Sequence, residues 1–575
     1  MLLDYLRRNI SSGTWSFKLF IAALFLILIY LVGSPIFCLL ISSLKETGLL
    51  NDPGLTLSNY LSTYSDPYTY RLFWNSLVFS IGSTSVALLL GITFAWLVER
   101  TDTPLRSLVR VMIISTMAVP PVILAVSWVL LLSPRIGLLN QVLIGLFNLK
   151  NPPFNVYSLS GMFFVQGIAL VPTTFLMLSP AFRNMDPSLE EAASVSGAGM
   201  LKTIRTIVLP ILKPAILSAT TFVFVAGLVV FDIPGIIGLP VRIMVFSSQI
   251  FFATHPPNGL PEYGTVSALA MSYLVIISIT ISIYFRFTRQ AKKFTTITGK
   301  GYRPRPFQLG KWRYVAFSFF ILYTVLAIAL PLGALIWTSL LPYYSSFSLK
   351  QFNLLSLENY RIFLEHRKVI LAVKNTFIVA VVSATLVVLL SIAISWIVTR
   401  VHNKSSQILV LMAFVPLGIP HVLMGLALIY VYLTLKFIPI YGTIWIITIA
   451  YVTHYTSFGT RTMNGAMVQI HKDLEEASEV SGASWVRTFL KITIPLVLPA
   501  MMSVWIWVAG HAMRELSAAL MLASGRNLIL STLLWGFWDG GEMPVAATVG
   551  VVLIGFLVIL MVVAQLLAWR NRLRF

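Results

Sequence analysis

A single cysteine in 575 residues leaves the chain no internal disulfide; Cys38 reads as a small buried thiol, and redox chemistry drops out of the fold. Charge is scarce too. Only 11% of residues are Asp, Glu, Lys or Arg, against roughly a quarter in soluble domains, so this is not the surface of a water-soluble protein. No Gly-x-x-x-x-Gly-Lys-Ser/Thr phosphate loop occurs. Thr298-Gly299-Lys300-Gly301 lacks the upstream glycine and the following hydroxyl, so the chain is not expected to hydrolyse ATP itself, and no catalytic residue is assigned. No His/Cys cluster has metal-ligand spacing; His255, His421, His454 and His511 read as loop or packing residues, and no metal is expected.

What the chain has instead is apolar length. Hydrophobic residues make up 57% and the mean hydropathy is +0.86. About twelve stretches of about 20 apolar residues recur, each long enough to cross a hydrocarbon core as a helix that satisfies its own backbone. The expectation is an all-α polytopic membrane protein with spans near 17–44, 72–98, 108–133, 157–181, 215–232 and 264–286, then 313–341, 370–399, 406–434, 440–461, 500–522 and 545–569. The first stretch is too long for a signal-peptide core and reads as a retained span. The net charge of +21 is explained by position. Arg7, Arg8 and Lys18 precede the first span, Arg570, Arg572 and Arg574 follow the last, and Arg286 to Arg313 is densely basic without Asp or Glu. By the positive-inside rule both termini and this linker are expected in the cytoplasm, and membrane lipid rather than nucleic acid is the expected neighbour.

The same punctuation occurs twice, at an offset of about 300 residues and later about 285. Leu57-Ser58-Asn59-Tyr60 returns as Leu357-Glu358-Asn359-Tyr360, Asn75-Ser76 as Asn375-Thr376, and Pro120-Pro121-Val122 as Pro420-His421-Val422. Likewise Trp96-Leu97-Val98-Glu99-Arg100 returns as Trp396-Ile397-Val398-Thr399-Arg400. The chain thus divides into a first repeat at 1–290, a basic linker at 291–312 and a second repeat at 313–575, with an extra external loop at 134–157 in the first. Repeats of six spans re-enter in the same orientation, which predicts a pseudo-two-fold along the membrane normal with the pathway between halves. Pro120, Pro121, Pro416 and Pro420 fall inside the third spans and are expected to kink them, either for packing or to line a gate.

Between the fourth and fifth spans of each repeat lies a polar segment, at 186–215 and 471–500. The first reads Leu189-Glu190-Glu191-Ala192-Ala193-Ser194-Val195-Ser196-Gly197 and the second Leu474-Glu475-Glu476-Ala477-Ser478-Glu479-Val480-Ser481-Gly482. Each continues to an apolar-proline pair, Leu209-Pro210 or Ile494-Pro495. Asp186-Pro187-Ser188 and His471-Lys472-Asp473 are helix entrances with acidic residues where the dipole favours them, and Gly197 and Gly482 are the left-handed closers. A second amphipathic helix should follow and end at Pro210.

Glu191-Ala192-Ala193, Gly197, Ile207 and Leu209-Pro210 have the spacing of the EAA loop of binding-protein-dependent ATP-binding-cassette importer permeases, which the whole chain resembles in a fused two-repeat form. In the second copy Ser478 replaces the third alanine and Ile494 the leucine; Ser478 is small enough that docking should survive. The resemblance implies the type I permease fold. It also implies that the short helices near 190–197 and 475–482 couple to two copies of a separate ATPase carrying ATP and Mg. A substrate-binding protein would meet the opposite face, and the pathway would work by alternating access in a bacterial inner membrane.

Ionisable residues at membrane depth are costly and face a cavity or a partner. Asp232 and the Arg514-Glu515 pair sit near the outer ends of the fifth spans, either lining an outer gate or pairing locally. The run Arg514-Glu515-Leu516-Ser517-Ala518-Ala519-Leu520, with Leu533-Leu534-Trp535 and Phe231-Asp232-Ile233-Pro234, resembles the ferric-iron importer group. Similar permeases carry aminoethylphosphonate, thiamine, polyamines or sugar phosphates. A secondary transporter would need midplane coupling carboxylates and no paired docking helices, the reverse of this pattern.

Overall fold

The computed structural model describes residues 15–49, 52–186, 188–197, 199–256, 258, 261–291, 307–345, 349–401, 404–434 and 438–570. Most of the basic linker (292–306), the arginines at 7, 8, 572 and 574, and Pro187 lie outside the described residues. The rest is helical apart from turns and an isolated bridge between Thr101 and Phe307.

Each repeat is built by the same local signals. Asp66 accepts from the Tyr68 amide at 2.8 Å and caps Pro67–Arg100; His366, at the matching place, accepts from the Lys368 amide at 3.2 Å and caps Arg367–Arg400. Ser158 and Thr443 cap the fourth spans, Leu159–Arg183 and Ile444–Val468, in the same paired way. The repeated asparagines are structural. Asn59 donates to the carbonyls of Ser43 and Lys45, Asn359 to those of Ser339 and Leu341, so each ties the end of a first span to the short helix after it.

Nine helices among the described residues are long and apolar enough to cross a membrane, and three bent pairs raise the number to 12 if each is one span. The membership differs from the sequence expectation in four places. The third spans are broken rather than kinked: Arg106–Ala118 meets Pro121–Leu132 at 93°, and Ser405–Gly418 meets His421–Thr434 at 110°. Pro120 stands at the first break in an extended conformation, with Pro420 at the second, because a proline ring excludes the helical turn before it. The fifth spans do not start after Pro210 and Pro495 but run through them, as Ile204–Val229 and Trp485–Arg514. A π turn widens the helix just ahead, at Ile204–Val208 and Phe489–Thr493, and each proline then enters the first turn of the next α segment, where a missing N–H costs least. The fifth spans also end earlier than expected, and a bent pair the sequence did not show, Pro234–Val241 with Phe246–Thr254 at 71°, follows the first of them. Finally, the stretch at 134–157 is not all loop but holds the helix Leu138–Phe147.

Within each repeat the second and fourth spans pack through one pair of small residues, with the glycine exchanged between halves. A Cβ on Gly91 would lie 2.5 Å from Thr174 Cγ2; in the second repeat the matching glycine is on the opposite helix, where a Cβ on Gly459 would run into the Ser391 hydroxyl. Gly459→Ala is therefore expected to destabilise the fold by about 1–3 kcal/mol, because the added methyl would press on the side chains of both Ser391 and Val387. A thermal melt indistinguishable from native would refute this close approach.

The first span of each repeat packs on the other repeat. Leu24 and Leu28 are buried with Ile394, Ile397 and Val497 of the second half. Phe320 and Tyr323, from Trp312–Ser339, pack on Phe94 at 4.8 and 5.2 Å, and Tyr323 Oη lies 3.0 Å from Thr116 Oγ1. The two halves are thus clasped by exchanged helices.

Candidate functional site

The second spans, Pro67–Arg100 and Arg367–Arg400, have 34 residues each, about 51 Å at helical rise and well beyond a hydrocarbon core of about 30 Å. Their last residues therefore emerge from the membrane, and there they meet the polar segments. Ser188–Val195 and Asp473–Val480 are eight-residue helices, closed by Gly197 at φ +76° and Gly482 at φ +84° as the sequence indicated. Glu190, Glu191, Ala192 and Ala193 fall in the first helix; Glu475, Glu476, Ala477 and Ser478 fall in the second.

Each helix is pinned by the arginine at the end of a second span. Arg100 pairs with Glu190 and donates to the Met185 carbonyl at 3.2 Å. Arg400 grips Glu475 with two nitrogens, at 2.7 and 3.2 Å, and reaches the Ile470 carbonyl at 3.4 Å. Thr493, just ahead of Ile494-Pro495, donates to Glu475 at 2.8 Å, whereas the matching residue of the first repeat is the buried Val208. Ala193 is buried at the point where Ser478 instead hydrogen-bonds Thr488 at 2.9 Å, so the departure from alanine adds a bond and keeps the packing. Opposite this anchored face, Val195 and Val480 are 90% and 88% exposed. A bare valine at one position on both helices is an apolar knob that the described residues leave uncovered.

The sequence reading missed both features. Arg100 and Arg400 stand in the repeated Trp-x-Val-x-Arg run, whose recurrence marks duplication but names no partner for the arginine. Val195 and Val480 stand inside the quoted segments, and two valines in a polar helix were the available signal.

The gate candidates are brought together across the repeats. Ser517 Oγ donates to Asp232 Oδ1 at 3.1 Å. Arg514 and Glu515, though adjacent, do not pair: Glu515 accepts from the amides of Ala518 and Ala519 and so starts the helix Ser517–Met521, while Arg514 donates to the Met117 carbonyl of the first repeat at 2.5 Å. Three of the four isolated histidines join one aromatic cluster. His421 and His454 lie 3.7 Å apart, and Trp507 stacks on both His511 at 3.7 Å and Phe458 at 3.6 Å. Among the described residues no three His, Cys, Asp or Glu side chains are placed to hold a metal ion.

Residues 87–293 and 391–572 match the family model described as binding-protein-dependent transport system inner membrane component, one match per repeat. The chain belongs to this family. The permease is 26% identical to the ferric transport system permease protein FbpB of Actinobacillus pleuropneumoniae, over 87% of this chain and 71% of that one. It is 23% identical to the Fe(3+)-transport system permease protein FbpB 2 of Haemophilus influenzae, over 92% of this chain and 95% of the relative. One half of the permease also matches the trehalose/maltose transport system permease protein MalF of Thermococcus litoralis, 30% identical over 41% of this chain and 80% of that one. The permease is thus a multi-pass membrane subunit of an importer, with its two repeats fused into one chain.

Proposed function

We propose that the permease forms the translocation pathway of an ATP-driven importer for ferric iron in a bacterial inner membrane, with both termini in the cytoplasm. The observation that carries the ATP-driven part is the pair of matched helices at one end of the bundle, each fixed by an arginine and each presenting a bare valine. Two equivalent docking elements fit two copies of one ATPase, which would hold the ATP and Mg that this chain has no phosphate loop to bind. The ATPase changes the separation of the helices, and the exchanged first spans carry that movement into both halves; coupling needs only that one nucleotide state favours one separation. A separate binding protein would deliver the solute on the opposite face. Iron is favoured because the relatives that span most of the chain are named as ferric permeases.

The test is reconstitution of the full chain in liposomes with candidate ATPase and binding-protein subunits. ATP-dependent ferric-iron uptake is expected for the native chain and should collapse in a Gly197→Asp, Gly482→Asp double variant, since both glycines are in left-handed backbone at the docking face. Uptake driven by a binding protein loaded with another solute would keep the importer and remove iron. Failure to associate with any ATPase would remove the ATP-driven reading.

A further inference from the structure

The fifth and sixth spans of the second repeat and the broken third span of the first line an open cavity of about 1020 Å³. Its walls are largely apolar, from Ile506, Leu557 and Leu560, and its charged lining residue is Arg514, with His511 beside it. Among the described residues no Asp or Glu lines it.

Arg514 is held by two neutral acceptors. His511 Nδ1 lies 2.8 Å from the Trp507 carbonyl oxygen, a contact that only an N–H can make, so Nε2 is left to accept the 2.7 Å bond from Arg514 Nη2. The imidazole is therefore the neutral partner of a guanidinium. Arg514 Nη1 goes to the Met117 carbonyl, and among the described residues Arg514 has no ion pair and no other hydrogen bond, although a guanidinium offers five N–H donors. The two nearby carboxylates make their hydrogen bonds to neutral donors, Glu515 to the amides of Ala518 and Ala519 and Asp232 to Ser517, and neither makes a direct bond to the guanidinium. Beyond Tyr455, whose ring is 6.2 Å from that of His511, His421 Nε2 and His454 Nδ1 are buried with no hydrogen-bond partner among the described residues.

We propose that Arg514, positioned by His511, is an anion-binding group of the transport pathway and takes a carboxylate or phosphate of the passing solute. This rests on the importer reading and deepens it. A ferric ion carrying only water would find no ligand in a guanidinium, which has N–H donors and no acceptor. The same ion wrapped in carboxylate or phosphate ligands presents acceptors that match the guanidinium fork.

The test is equilibrium dialysis of the purified full chain against radiolabelled citrate and inorganic phosphate, with and without ferric ion. The native chain is expected to retain label, Arg514→Gln to lose about tenfold or more in affinity, and Arg514→Lys, which keeps the charge but not the fork, to fall between. A thermal melt of each variant separates lost binding from lost fold, and Arg514→Lys carries the test if Arg514→Gln does not fold. Label retained without iron identifies the anion itself as the bound group; label retained only with iron identifies the complex. No retention by the native chain, or equal retention by the native chain and both variants, overturns the proposal. Radio-iron uptake by the reconstituted importer keeps the two readings apart. Uptake indifferent to Arg514 keeps iron and removes the anion site, whereas Arg514-dependent anion binding with no iron uptake keeps the site and removes iron.

Discussion

Arg400→Ala is expected to reduce ATP-driven uptake to below about a tenth of native while leaving the membrane bundle folded. Arg400 and Glu475 are each largely buried, their side chains being 12% and 10% accessible, so removing the arginine leaves a carboxylate in a place where water cannot fully replace it. Breaking such a pair from one side costs about 3–5 kcal/mol. The cost falls locally, because an eight-residue helix has too few turns to be stable alone and owes its position to this anchor. At about 1.4 kcal/mol per tenfold, a loss of that size moves the docked helix from almost always in place to mostly elsewhere. Hydrogen exchange should rise across 473–482 and stay native across 367–390. Removing both partners, as Arg400→Ala with Glu475→Ala, should restore part of the uptake, since no buried charge is then left alone. The equivalent Arg100→Ala should cost less: Glu190 is 17% exposed and has no counterpart of Thr493 to strand. Native uptake and native exchange in Arg400→Ala would show that the pair is incidental.

The Val195→Asp, Val480→Asp double variant is expected to lose association with the proposed ATPase by about a hundredfold or more, with an unchanged melting temperature. Burying a valine contributes about 1.5–3 kcal/mol, and the two knobs act together in one complex. Aspartate removes that contribution and adds a charge that must be desolvated to dock. Because both valines are almost bare, the fold has nothing to lose by the change. Co-purification of the variant with the ATPase at native yield would mean that the partner docks on some other face.

The two predictions divide along a line that also separates what the sequence disclosed. Apolar length, the duplicated punctuation and the polar segments between fourth and fifth spans are local or periodic patterns, and they were legible. The left-handed glycines were legible for the same reason, since a closer is needed wherever a helix of that composition stops. The anchors were not, because Glu190 lies 90 residues from Arg100 and Glu475 lies 75 from Arg400, and nothing in a linear reading says which of many cations each carboxylate meets. The proline readings failed in both directions for one cause. Proline removes a donor, but whether the helix then breaks, as at Pro120, or absorbs the loss in a π turn, as ahead of Pro210, depends on what packs against it.

The sequence by itself determined that this is a duplicated, multi-pass membrane protein with two short polar helices, one per repeat, because lipid leaves a backbone few choices and a repeat repeats its choices. Only the tertiary structure decided that the first spans are exchanged between halves, that Arg514 and Glu515 turn away from each other, and that a guanidinium faces a cavity without a carboxylate among the described residues. Those outcomes depend on which surfaces meet across the bundle, and in lipid that is settled by shape and by the satisfaction of polar groups rather than by hydrophobicity, which every span shares.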